Sequence, residues 1–426
     1  MKLTAVGDVL IQKRISESYR GSDIMAYIAK GDARFFNLET TINEEGECFA
    51  SQFSGGTYIR VGRKVFDDVG KFGFNLTSFN NNHVLDFSYD GLYSTLQTVD
   101  QSGLVHAGVG YDLAQASAPK YLKTPNGTVA LISVNTTFDP SMMAGKKTSR
   151  VKGRPGINGL RTEITYQVSP EELNLIRELA RKTGANSTRE LDIREGYALP
   201  DAEGIARFGA LQFAQGDRDC RITTICHEDL DRVRQAIEEA KSAAEVLISL
   251  HTHQIEGEKE DVPPFIESFA RFCIDCGATA VIGHGPHLLR AIEVYREHPI
   301  FYSLGDFVLQ LYDVEFAPAD FYEKYGVDLN APVYELLKKR SKNFTIGLME
   351  DPRMSQTVIP FWQTENGKLT YLELLPVKLS MHGDPAHNGL PFVAQDTAFM
   401  DKLDSLSKPY GVRIVKENGK YICKWG

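Results

Sequence analysis

The sequence predicts an α/β chain organised on a largely parallel sheet. Short apolar, β-branched or aromatic runs alternate with longer helical patterns, the signature of βαβ units. Most of those runs end abruptly in Gly, Asn, Asp, Glu or His. Strands are expected at 3–6, 34–37, 76–79, 129–134, 246–250, 278–282 and 300–303, and helices at 63–72, 91–102, 170–183, 228–244 and 264–276. Within 228–244, Leu230, Val233, Ile237 and Ala240 recur at three- and four-residue spacing, so one face of that helix is buried. Residues 139–224 interrupt the alternation with Gly and Pro clusters, charge and one clear helix, and read as a long insertion, a lid or substrate platform. Farther on, 344–349, 357–362 and 369–377 resemble antiparallel strands, the last two joined through an Asn366-Gly367 turn. The expected organisation is therefore a main domain from 1–138 and 225–380, the insertion 139–224, and a C-terminal extension 381–426.

Composition bounds the function. A net charge of −9 over 426 residues argues against broad nucleic-acid binding, which needs clustered Lys and Arg. Six scattered cysteines do not make a disulfide-stapled module, and Cys273 and Cys276, a CxxC within an expected helix, read as packing residues. Residues 1–8 run from strand to polar turn rather than through a signal peptide, and no apolar run reaches about 18 residues. The expectation is a cytoplasmic protein with no membrane span.

The chemistry lies at the strand ends. Gly7-Asp8 follows the first run, Asn37-Leu38-Glu39 the second, and Asn80-Asn81-Asn82-His83 with Asp86 the third. His251-Thr252-His253, Gly283-His284-Gly285-Pro286-His287 and Leu304-Gly305-Asp306 close three later runs, so half of the ten histidines fall in these turns. In a parallel sheet such ends share one edge, where open α/β folds hold their ligands. Imidazole with carboxylate and amide oxygen suits Zn²⁺, Mn²⁺ or Fe.

Each signal alone has a plainer reading. Asp8 could cap a turn, Glu39 could face solvent, and Asn82-His83 could be a turn with an incidental histidine. The alternating His251-Thr252-His253 is expected to send one imidazole inward and the other outward. Two histidines in one tight Gly/Pro turn have little packing rationale, and the convergence of six turns outweighs the separate alternatives.

Taken as an ordered set, these turns resemble the CapA family, named from a poly-γ-glutamate capsule synthesis protein and related to calcineurin-like metallophosphoesterases. Thr137-Phe138-Asp139-Pro140, Gly153-Arg154-Pro155-Gly156-Ile157-Asn158 and Gly389-Leu390-Pro391 extend the resemblance along most of the chain. It implies a metallophosphoesterase-like α/β/β/α layered sandwich with the insertion and C-terminal antiparallel strands added. Departures qualify it. Where two-metal phosphoesterases begin Asp-x-His, this chain has Asp8-Val9-Leu10; Glu39 stands for a bridging aspartate; and Gly-His-x-His gains a residue as Gly283-His284-Gly285-Pro286-His287. Asp306 stands where CapA members often carry Asn. One tightly held ion with a weaker second is the resulting expectation.

The metal ligands expected are Asp8, Glu39, Asn82, His251, His284 and His287, holding one or two divalent ions (Mn, Zn or Fe) that activate water. His83, oriented by Asp86, and His253 are the expected acid/base groups. Arg154 and Arg161 are candidate clamps for a substrate carboxylate or phosphate. The substrate expected is anionic: a small molecule, a peptide, a polyglutamate or a phosphoester. Hydrolysis leads, with Cα–H abstraction in a metal-dependent peptide epimerase, using His83 and His253 as opposed bases, and a non-catalytic polyglutamate or peptide binder as alternatives.

Overall fold

Side-chain alternation along the strands builds the layers. The computed structural model describes residues 1–381 and 384–426. They divide into one compact unit, Met1–Gly159 with Asp231–Gly426, and a second, Leu160–Leu230. In the first, β1 (Lys2–Leu10), β2 (Ala33–Leu38) and β3 (Leu76–Ser78) run parallel within a ten-stranded mixed sheet. A six-stranded sheet holds β4 (Gly127–Asn135), β5 (Glu245–His251) and β6 (Ala280–His284), also mutually parallel.

Successive strand residues face opposite sides, so neighbours enter different cores. Leu3, Ala5 and Phe35 pack with Leu131, Leu247 and Ile282 of the six-stranded sheet. Val6 and Phe36 pack instead with Ile24, Ile28, Phe66, Leu92 and Leu96, which helices supply. The outer side of the six-stranded sheet is covered by the helix Pro264–Cys276, which buries Phe265, Ile266, Phe269, Ala270 and Cys273. Each such aromatic or aliphatic side chain contributes roughly 1.5–3 kcal/mol by leaving water. The layer order is the α/β/β/α sandwich expected. All six cysteines are free, with Cys273 and Cys423 buried.

Two additions complete the ten-stranded sheet. The strands Gln356–Glu365 and Lys368–Leu379 pair antiparallel, and Asn366 and Gly367 take the left-handed φ values of 52° and 78° that a two-residue hairpin requires. The hairpin Val412–Glu417 and Lys420–Trp425 extends the sheet beyond them. Within the same sheet, β7 (Asp306–Leu309) lies parallel to the far end of β1, with Asp8 opposite Asp306.

Several sequence expectations need correction. β1 does not stop at residue 6 in a polar turn; it continues through Asp8 to Leu10. Its register against β2 shifts between Ala5 and Asp8. Such a bulge reverses the alternation, so Val9 joins Val6 in the helix-side core and Asp8 turns toward the second sheet. Residues 344–349 form no strand: Lys342, Asn343 and Phe344 have φ of 50°, 61° and 58°, and the chain turns back onto Ser341, whose carbonyl accepts from the Thr345 and Ile346 amides. The stretch read as having one clear helix also holds the helix Ser187–Glu195, and the unit Leu160–Leu230 includes a four-stranded sheet of Thr162–Val168, Ala206–Phe208, Leu211–Gln215 and Cys220–Ile225. Those strands are mostly half-buried and carry no clean apolar alternation. Among the described residues no helix is long and apolar enough to cross a membrane.

The β1 bulge depends on a close backbone approach. A Cβ on Gly7 would stand 1.7 Å from the Gly305 carbonyl oxygen, which accepts from the Asp8 amide at 3.0 Å. Gly7→Ala is expected to cost about 3 kcal/mol of unfolding free energy in urea denaturation, while Gly46→Ala, at an open turn with φ of 73°, costs about 1 kcal/mol.

Candidate metal centre

The strand-end residues converge, and they do so from both sheets rather than along one sheet edge. Asp8 lies within β1 and Asp306 opens β7; Asn37 lies near the end of β2 and Glu39 just beyond it; Asn82 and His83 follow β3; His251 and His284 are the last residues of β5 and β6, with His253 and His287 just beyond. Glycines permit the approach. A Cβ on Gly283 would meet the Tyr302 carbonyl oxygen at 2.4 Å, and Gly285 at φ 109° donates its amide to Asp8 Oδ2 at 2.8 Å. His287 itself holds the left-handed φ of 60° that non-glycine residues rarely adopt.

One cluster gathers acceptor atoms. Asn82 Oδ1 is 2.7 Å from His251 Nε2 and 3.1 Å from His253 Nε2, and the two imidazole nitrogens are 3.0 Å apart. The Asn82 amide is fixed in this sense because its Nδ2 donates to the Gly55 carbonyl. Glu39 Oε1 closes the group at 3.8 Å from His251 Nε2 and 3.6 Å from His253 Nε2. The expectation that His251 and His253 diverge is overturned: residues two apart in an extended chain lie on the same side, and both rings face Glu39.

A second cluster shares that carboxylate. Ligand atoms of Asp8, Glu39, His287 and Asp306 lie within 4.8 Å of one another, as do those of Asp8, His251 and His284. His287 Nδ1 and Asp306 Oδ1 are 2.8 Å apart, and Asn37 donates to Asp8 Oδ1 at 2.7 Å. His284 stands behind His251, their Nδ1 atoms 2.9 Å apart, with its Nε2 on Ser249 Oγ at 2.7 Å.

The donor set fits a divalent cation. Glu39 is fully buried, yet neither of its oxygens has a hydrogen-bond partner, and Asp306 Oδ2 and Asn37 Oδ1 are likewise unpartnered. Leaving such groups unsatisfied in the interior costs several kcal/mol. Bonds of about 2.0–2.2 Å to a common ion would place adjacent ligands roughly 3–3.4 Å apart, close to the separations among Asn82, His251, His253 and Glu39.

Electrostatics agree with this picture. Burial, reinforced by the charges of Asp8 and Asp306, pushes the Glu39 carboxyl well above the ordinary range. Burial would also raise Asp8, but hydrogen bonding and charge from His284, with His251 and His287, carry it below. Burial, then neighbouring imidazoles, pulls His251 and His253 well below the usual histidine range, so both present neutral lone pairs.

His83 sits at the rim of the first cluster. Its Nδ1 is 2.7 Å from Asp86 Oδ2, its backbone amide is held by Asn81 Oδ1, and its Nε2 is 4.0 Å from Glu39 Oε1. Asp86 is anchored by the Gly55 and Ile59 amides. Arg161 is engaged in a bidentate pair with buried Asp229 at 2.9 Å, whereas Arg154 is exposed and gives its Nε to the Met143 carbonyl. Asp306 and Asn37 belong to the cluster and lie outside the ligand set expected from the sequence. Both stand in the strand-end turns, where the sequence shows the residue types but not which way they point.

The family model described as "Bacterial capsule synthesis protein PGA_cap" matches residues 2–311. The chain is 32% identical over 434 residues to the uncharacterized protein y4sH of Sinorhizobium fredii, covering 98% of this chain and 91% of that protein. It is 30% identical over 389 residues to the PGA biosynthesis protein CapA of Bacillus subtilis, covering 86% and 80%. A crystal structure of a hypothetical protein from Thermus thermophilus aligns with TM-score 0.39 at 10% identity, covering 89% of this chain and 99% of that one.

Glu39 offers a test with opposite signs. In chelator, Glu39→Gln is expected to be at least as stable as the parent, because a buried acid without partners is removed. With Mn²⁺ or Zn²⁺ at about 100 times its dissociation constant, the parent should gain about 2.7 kcal/mol, and the variant less than half of that, measured by thermal denaturation.

Proposed function

The chain belongs to the bacterial capsule synthesis protein family PGA_cap, and we propose that it is a metal-dependent hydrolase acting on an anionic peptide, polyglutamate-like or phosphoester substrate. The observation that carries this reading is the buried Glu39 carboxylate, unpartnered and shared between two groups of ligand-type atoms. Glu39, Asn82, His251 and His253 would hold one divalent ion; Asp8, Glu39, His287 and Asp306 would hold a weaker second. A bound ion of this kind supplies Lewis-acid polarisation and lowers the pKa of water toward neutrality.

The protein's own residues do the rest. With an ion on His251 Nε2, one chain of tautomers would meet the contacts behind it: His251 Nδ1–H donates to His284 Nδ1, and His284 Nε2–H donates to Ser249 Oγ. It leaves the His251 Nε2 lone pair facing Glu39 and His253, the role of an orienting partner behind a ligand. In the same way Asp86 accepts from His83 Nδ1–H, so His83 Nε2 is the atom that takes up or delivers a proton. A binder would need no such oriented proton carrier. An epimerase needs bases on opposite faces of a carbon, whereas His83 and His253 both come within 4.0 Å of the same Glu39 oxygen; this favours hydrolysis. The polyglutamate direction draws on the relative called PGA biosynthesis protein CapA.

The test combines metal analysis with turnover of a chromogenic phosphodiester and of a γ-glutamyl peptide. The parent should retain divalent metal and cleave one of them, and His83→Gln should lower kcat about 10²–10⁴-fold with unchanged metal content. Deuterium incorporation at Cα from heavy water without cleavage would replace hydrolysis by epimerisation, and a folded protein that takes up no metal would sink both.

A further inference from the structure

Of the two arginines expected to clamp an anion, Arg161 is committed to Asp229, and Arg154 is exposed with its Nε on the Met143 carbonyl. Among the described residues neither forms a hydrogen bond or ion pair with the cluster, which leaves the question of what receives the negative charge of a substrate. Among the described residues, a half-buried cation near the cluster lacks a carboxylate partner. Lys259, half-buried, has a single polar contact, the Met354 sulfur at 3.7 Å from its Nζ. Among the described residues no carboxylate forms an ion pair with it: nearby Asp351 is taken by Arg353, and Glu260 by Arg353 and Lys402.

The backbone that presents Lys259 is fixed. Arg290, fully buried, donates from Nε and Nη2 to the Lys259 carbonyl at 3.1 and 3.0 Å, and from Nη2 to the Gln254 carbonyl at 3.0 Å. On the next residue, the Glu260 carboxylate is held by Arg353 and by Lys402 at 2.7 Å. The segment is thus pinned on both sides of a lysine whose own side chain is left unpaired. Arg290 ties the Lys259 carbonyl to that of Gln254, the residue after His253, which holds the lysine segment beside the cluster, and the Lys259 charge reaches Asp306, His253 and His287. His253 is also where the site opens: its side chain is 24% exposed, against 5% for His83 and none for His251.

We propose that Lys259 is the anion-holding residue of this site, receiving the carboxylate or phosphate of the substrate on the His253 side of the cluster, with Arg290 as its positioning residue. The proposal rests on the reading of the cluster as a substrate site and adds the group that selects an anionic substrate. An ammonium on a pinned segment, with no carboxylate to displace, forms charge-assisted hydrogen bonds to an incoming oxyanion without first breaking an ion pair.

The experiment is calorimetric titration of the full chain, supplied with Mn²⁺, with inorganic phosphate and separately with glutarate, for the parent, Lys259→Met and Lys259→Arg. Lys259→Met should weaken the anion that binds by about 10–100-fold, and Lys259→Arg by less than about threefold, with equal Mn²⁺ content in all three proteins. Weakening confined to phosphate identifies a phosphoester substrate, and weakening confined to glutarate a carboxylate one. Anion binding unchanged in Lys259→Met, or no binding of either probe by the parent, overturns the proposal. A parent that holds no Mn²⁺ defeats the reading of the centre, while the same anion titrations still decide Lys259.

Discussion

The structure turns on a buried carboxylate that nothing in the protein satisfies. Glu39 has no solvent exposure and no hydrogen-bond donor at either oxygen, and Asp8 and Asp306 lie close enough to raise its proton affinity further. An interior rarely tolerates such a group. Here the surrounding atoms add to the problem, since an amide oxygen and two neutral imidazole nitrogens face the same point. One positive ion would resolve all of these conflicts together.

The fold is arranged to produce that convergence. Two sheets deliver strand ends from opposite sides of the sandwich, and the bulge in β1 turns Asp8 away from the helix-side core toward the second sheet. Glycines at 7, 283 and 285 let backbones meet where a Cβ would collide. Behind the ligand-type atoms a second ring of contacts fixes their orientation: Asn37 on Asp8, Ser249 and His284 on His251, Asp86 on His83, the Gly55 carbonyl on Asn82. Rigid strands carry these groups, which suits a site that must hold geometry within a fraction of an ångström.

Much of this is legible in the sequence because it is local. A strand followed at once by Asp, Asn-x-Glu or Gly-His-Gly-Pro-His announces both an element and its chemistry, and the ordered set carries the resemblance to CapA proteins. What escapes depends on long-range contacts. The bulge at Gly7 is set by Gly305, nearly three hundred residues away in the chain, so the length of β1 and the direction of Asp8 have no local sign. The two histidines of His251-Thr252-His253 stand two residues apart, so an extended chain puts them on one face, and both reach Glu39. The sheet in Leu160–Leu230 hides behind half-buried strands, and Lys259 carries no motif at all; only the pairing of its neighbours elsewhere makes it conspicuous.

The most direct measurement is anomalous diffraction from crystals grown with Mn²⁺ or Zn²⁺. The expected result is a strong peak bounded by Glu39, Asn82, His251 and His253, and a weaker one bounded by Asp8, Glu39, His287 and Asp306, with Glu39 touching both. Density showing no ion at saturating metal, with the Glu39 oxygens instead hydrogen-bonded to protein donors, would contradict it.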